Sequence, residues 1–266
     1  SMAVGLEKAF HVPAFLSGSL CMIVVAVVLT GGMKRIAIFT ERLVPVMAAI
    51  YLAGAMLVLF FYRDRIAGAF ALIFQEAFRS SAAVGGVAGY SMKQAVRMGI
   101  ARGIFSNEAG LGSSVMAHAQ SDVEDPKVQG MWGILEVFID TVLVCTITAL
   151  VILVSQVPYW QAGEIDGTTL TGMAFASVIP WGKEFLAGAT ALFAFATMIG
   201  WFYFGAQTAD YLAGEKGVKV YRFCYILITL PGCMIAPTMI WELSDALNGM
   251  MAVPNLLALF FLGKEV

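Results

Sequence analysis

The stretch "RGIFSNEAGLGSS", residues 102–114, interrupts a chain that is otherwise strongly apolar. It sets one arginine, one glutamate, one asparagine, three serines and three glycines into thirteen consecutive residues. In a soluble protein this would read as an ordinary polar loop. In a chain that crosses a membrane it reads as a break in a buried helix, because irregular backbone at membrane depth is tolerated only where protein or a wet cavity surrounds it.

The flanking sequence chooses between these readings. Apolar residues make up 60% of the 266 and charged residues 13%, with a mean hydropathy of +0.84; soluble domains run at about 45–50% and about 25%. Pro13 to Met33, Leu43 to Tyr62, Thr141 to Gly163, Phe185 to Ala209, Phe223 to Trp241 and Ala246 to Gly263 carry no charged side chain. Each is close to the ~20 residues that a helix needs to cross ~30 Å of hydrocarbon. The fold class is therefore all-α, a polytopic helical membrane protein. The net charge of −2 gives no electrostatic case for a nucleic-acid partner. Cys21, Cys145, Cys224 and Cys233 are scattered without paired spacing and read as reduced packing residues. Nothing at the start has the layout of a cleavable signal peptide, and the opening Ser-Met reads as the remnant of a tag or a cut.

Lysine and arginine mark cytoplasmic span ends. Lys34, Arg35 and Arg42 follow the first run, and Lys216, Lys219 and Arg222 follow the Phe185 run. The opposite loops hold Glu164, Asp166, Glu184, Glu242 and Asp245 against one base, Lys183. This asymmetry puts the C-terminus in the cytoplasm. Alternation then requires a crossing between Arg63 and Gln129, where no clean apolar segment exists. Two threadings fit: a broken crossing over 66–92 hinged at Gly85, Gly86 and Gly89, or one centred on Ser106 to Gly112. Charge placement alone favours the first.

"GIARGIFSNEAGLGSSVMAHA", "FIDTVLVCTITAL", "GGMKRIAIFTERLVPVMAAIY", "FAFATMIGWFYFGAQTADYL" and "IWELSDALNGMMAVPNL" together resemble the sodium:alanine symporter family, the alanine or glycine:cation symporters. The resemblance runs along nearly the whole chain. It implies a LeuT-like fold of two inverted five-helix repeats, with a helix broken at "SNEAGLG", and so favours the second threading. It implies a single transmembrane domain over 1–266 with about seven membrane segments, at 13–33, 43–62, 90–120 (broken), 130–155, 185–209, 223–241 and 246–263. It also implies that this is a C-terminal portion, with the repeat that supplies the other half of each site absent. The expected function is sodium-coupled symport of alanine or glycine across the cell membrane by alternating access. The alternative is a non-transporting helical subunit whose break is a packing or assembly device. No nucleophile–base pair, metal cluster or phosphate loop argues for an enzyme.

The candidate substrate-binding residues follow from the break. Freed amides beside Ser106 and Asn107 suit a carboxylate, and freed carbonyls suit an ammonium group or sodium. Asn107 offers both a donor and an acceptor, Phe105 walls a small pocket, and Gly110 relaxes the backbone. Glu108 reads equally as a structural hydrogen-bonder. Trp201 closes the pocket or belongs to an interfacial belt. Thr197 either bonds back to its own helix or, by the resemblance, ligates the coupling sodium. Glu136 and Asp140, four apart at the start of a span, read as helix-packing or gating acids, and His118 as an interfacial residue.

Overall fold

The computed structural model describes residues 2–77, 86–108, 110–158, 167–235 and 237–263. Gly85, Glu164 and Asp166 lie outside them. The elements are α1 (Met2–Phe10), α2 (Ala14–Thr30), α3 (Met33–Phe61), α4 (Arg63–Ala77), α5 (Gly86–Asn107), α6 (Ser113–His118), α7 (Pro126–Val137), a π-helix (Phe138–Val144), α8 (Cys145–Val154), α9 (Gly167–Ala176), α10 (Gly182–Met234) and α11 (Pro237–Leu262). No strand occurs among the described residues. Four helical stretches are long and apolar enough to cross a membrane: Ile38–Phe61, Pro126–Val154, Gly182–Met234 and Met239–Leu262. Ala14–Thr30 is a shorter apolar helix. The chain divides into two compact units, Ser1–Arg63 with Val151–Pro237, and Asp64–Leu150 with Thr238–Val266.

The first unit is built on α2 and α10. α2 is apolar all round, as a helix needs to be when protein covers one side and hydrocarbon the other. Ser17, Gly18, Cys21, Val25 and Val28 are buried, while Leu16, Leu20, Ile23 and Val27 form an exposed aliphatic stripe. The buried face meets Ile199, Phe202 and Ala206 of α10. α10 is a hairpin. Its helical path breaks only at Gly214, whose φ of 60° and ψ of −159° suit a residue without Cβ. The two arms, 182–213 and 215–234, run back along each other. The Phe202 ring stacks on Tyr221 at 5.6 Å and meets Tyr225 at 5.4 Å, and the Tyr225 hydroxyl donates to the Met198 carbonyl at 2.7 Å. The expected segments 185–209 and 223–241 thus fall on one interrupted element as far as Met234.

Gly205 sets how closely the arms approach, because a Cβ there would overlap the Tyr221 ring and hydroxyl. Gly205→Ala is expected to destabilise the hairpin by about 1–3 kcal/mol, read as a lower Tm in detergent. Adding Tyr221→Ala should recover part of the loss, because the two side chains compete for one space. Strictly additive effects would contradict this packing.

In the second unit, Asp125 opens α7 by accepting the Lys127 amide at 2.9 Å, with Pro126 at the first helical position. The helix then widens over Phe138–Val144, and the Cys145 amide reaches back to the Asp140 carbonyl. One earlier expectation is corrected. Glu242 and Asp245 do not form a loop between spans; they lie inside α11, which begins at Pro237. Neither Gly nor Pro stands between 242 and 245 to end a helix, whereas Pro237 is well suited to start one.

Candidate functional site

α5 is helical through Asn107, and α6 resumes at Ser113. Between them Glu108, Gly110 and Gly112 have φ of 54°, 84° and 83°, and the Leu111 amide donates to the Glu108 carbonyl at 3.1 Å. The last carbonyls of α5 therefore have no following turn to bond. Of the threadings open from sequence, only this break falls within described residues; Gly86 and Gly89 lie in the first turn of α5. Glu108 holds a left-handed conformation that costs a residue with Cβ roughly 1–2 kcal/mol. Its side chain is anchored where it lies, since Glu108 Oε2 accepts the Ser113 hydroxyl at 2.7 Å and Ser113 is fully buried.

The π-helix presents its polar residues to this break. Asp140 Oδ2 accepts the Ser106 hydroxyl at 2.6 Å and the Thr141 hydroxyl at 3.3 Å, and Thr141 Oγ1 in turn accepts Asn107 Nδ2 at 3.0 Å. One carboxylate and two hydroxyls converge there. That set of hard oxygens, with a single negative charge, suits a small monovalent cation. Beside it, a cleft of about 360 Å³ is lined by Asn107, Ser114, His118, Gly133 and Glu136. His118 Nδ1 lies 2.8 Å from Gln129 Nε2, and His118 Nε2 lies 3.5 Å from Glu136.

The opposite side of α5 is tied to α11. Arg102 Nη2 contacts Asp245 Oδ2 at 2.5 Å, and its guanidinium lies 4.3 Å from the Trp241 ring centroid. Phe105 meets Trp241 edge-on at 5.4 Å. Asn255 packs against Gly112, where a Cβ would stand 2.8 Å from Asn255 Oδ1.

Among the expected site residues, Ser106, Asn107 and Glu108 share this polar neighbourhood, and Gly110 lies in the same break. Phe105 turns away from it, lining a separate groove between α5 and α11. Trp201 and Thr197 belong to the first unit, on the first arm of α10. Trp201 packs edge-on to Phe204 at 6.0 Å. Thr197 is exposed. Thr30, Thr40, Thr148 and Thr229 each donate to a carbonyl one turn back; the Thr197 hydroxyl makes no such bond among the described residues. Glu136 and Asp140, read from sequence as one pair, separate: the first meets His118, the second Ser106. His118 is held on both ring nitrogens. Asp140 and Thr141 were not among the residues singled out for binding, although an acid inside an apolar span was the signal for one of them.

Comparison with known proteins places the chain. The model of the sodium:alanine symporter family matches residues 1–266. An uncharacterized transporter of Haemophilus influenzae is 35% identical over 98% of this chain and 57% of its own length. The sodium/alanine symporter AgcS of Methanococcus maripaludis is 35% identical over 100% of this chain and 58% of its own. A probable sodium/glutamine symporter, GlnT of Bacillus subtilis, is 35% identical over 100% of this chain and 55% of its own. The chain thus spans little more than half the length of these relatives. Their names are those of transporters rather than enzymes, and the apolar helices make this an integral membrane protein. The chain belongs to the sodium:alanine symporter family.

Proposed function

We propose that this chain serves the sodium-coupled symport of a small neutral amino acid, alanine or glycine, across the cell membrane, as part of a protein of its relatives' length. The observation that carries the reading is the convergence of Ser106, Asn107, Asp140 and Thr141 at the break between α5 and α6. These groups bond one another where the helix ends, and transporters use broken helices to hold substrate and ion at mid-membrane. The substrate contacts are Ser106, Asn107, Glu108 and the backbone to Gly110. Sodium takes the oxygens of Asp140, Ser106 and Thr141. Thr197, exposed and without a hydrogen bond among the described residues, is the ligand proposed for a second sodium. The C-terminus is assigned to the cytoplasm by the lysine and arginine asymmetry, and the LeuT-like inverted repeat is the architecture that the family resemblance implies. The remainder of each site comes from the part of the relatives' length outside this chain.

Binding of radiolabelled alanine to the protein in liposomes, with sodium and with choline in its place, tests the reading. Sodium-dependent binding is expected, and Asn107→Ala should weaken it about tenfold, the loss of one good hydrogen bond to a charged group. If no small neutral amino acid binds under either cation, the transport reading fails and a non-transporting helical subunit replaces it.

A further inference from the structure

The groove on the other side of the break is not used by this mechanism. It holds about 460 Å³, within the range of small-molecule sites. Its walls are two helix faces, positions 97, 100, 101 and 104 of α5 and positions 245, 248, 249 and 252 of α11, each spaced as one side of a helix. The contacts Arg102–Asp245 and Gly112–Asn255 show the helices running in the same direction. The groove therefore extends from Arg97 down to Phe105 and Leu111, at the break itself. Its lining is mostly aliphatic, yet it carries both signs of charge. Arg97 makes no hydrogen bond or ion pair with any described residue. Asp245 spends Oδ2 on Arg102 and keeps Oδ1. Asn248 stands one turn from Asp245 with a donor and an acceptor.

We infer that this groove is a second amino-acid site, which takes a zwitterion with a small apolar side chain before it reaches Asn107. The carboxylate pairs with Arg97, the ammonium with Asp245 Oδ1 and Asn248, and the side chain lies on the aliphatic wall. Charge complementarity decides the occupant. A lipid acyl chain fits the wall but leaves both charges unanswered, and an anion or a cation alone answers one. Phe105 and Leu111 carry the groove's lining to the break, which gives the site its place beside the Asn107 cleft. The inference rests on the transport reading for its purpose, and its test is built to fail separately.

Ala252→Cys and, on the facing wall, Ala101→Cys are each introduced where the native exposed Cys145 and Cys224, and Cys233, are alanine. Asn107→Ala is added to disable the deep site, and labelling by a small maleimide is followed in sodium-free buffer. L-alanine is expected to slow labelling at both positions, while propionate and ethylamine, each with one of the two charges, do not. Arg97→Gln should raise the alanine concentration for half-protection about tenfold. The inference is overturned if alanine leaves both labelling rates unchanged, if propionate or ethylamine protects equally, or if Arg97→Gln has no effect. Two cysteine positions guard against one variant that fails to fold. Sodium-dependent alanine binding to the parent is measured alongside. Protection without such binding keeps the groove and removes the transport reading; binding without protection does the reverse.

Discussion

Asp140→Asn lowers the apparent sodium affinity of alanine binding about a hundredfold, the largest effect expected of any single side chain here. The substitution keeps the size of the side chain and removes the charge that Ser106 and Thr141 bond. Two hydroxyls, Ser106 and Thr141, lose a charged acceptor, and hydrogen bonds to charged groups contribute about 1.5–3 kcal/mol each. A cation placed among the remaining neutral oxygens lacks its counter-charge. Every 1.4 kcal/mol is tenfold, so a hundredfold asks for about 2.8 kcal/mol, which is within reach of that loss. Alanine binding titrated against sodium in liposomes measures it. Glu136→Gln is the comparison: Glu136 meets His118 and not the break, so its change should leave sodium affinity within about twofold, the scale of an exposed ion pair. Equal effects of the two substitutions would mean that Asp140 acts only as a helix-packing acid.

Gly112→Ala carries the largest expected structural cost. At φ of 83° an L residue pays backbone strain of about 1–3 kcal/mol. The added Cβ would also stand 2.8 Å from Asn255 Oδ1 and 3.0 Å from its Cγ, so α11 must shift or Asn255 must leave its rotamer, adding about 1–3 kcal/mol. Together these predict a loss of about 2–6 kcal/mol, seen as a lower Tm, with alanine binding weakened in the fraction that remains folded. Asn255→Ala in the same chain should return the steric part and leave the strain. A double variant no more stable than Gly112→Ala alone would place the cost wholly in the backbone.

What the sequence disclosed and what it hid divide along a physical line. Apolar runs announced helices because burial in lipid demands them. The glycines and polar residues of 106–112 announced a break because no continuous helix gains from them at that depth. The π-turn was not legible: "FIDTVLV" has the composition of any membrane helix, and its widening shows only in backbone bonding such as Cys145 to Asp140. Long-range pairing was equally hidden. Asp245 looked like a loop acid because its partner, Arg102, lies 143 positions away. Glu136 and Asp140 looked like one pair because spacing on a regular helix puts them on one face. The turn at Gly214 was obscured by the charges after it, which drew attention to a loop where the chain is helical on both sides. Of the site residues, the local ones at the break were within reach of sequence reasoning, and the partners brought in by folding were not.

The widened turn at Phe138–Val144 has a geometric consequence of its own. An α-helix advances 100° per residue, so accommodating one extra residue turns everything beyond it by about that angle relative to an uninterrupted rod. This phase shift is local and nearly free of translation. It lets Glu136 face His118 while Asp140 faces Ser106, two addresses served by one helix. Returning the turn to regular winding would swing one of these carboxylates off its partner while the helix axis stayed in place. The segment is thus a rotational register, in which the unit of change is a residue of winding rather than an ångström of displacement.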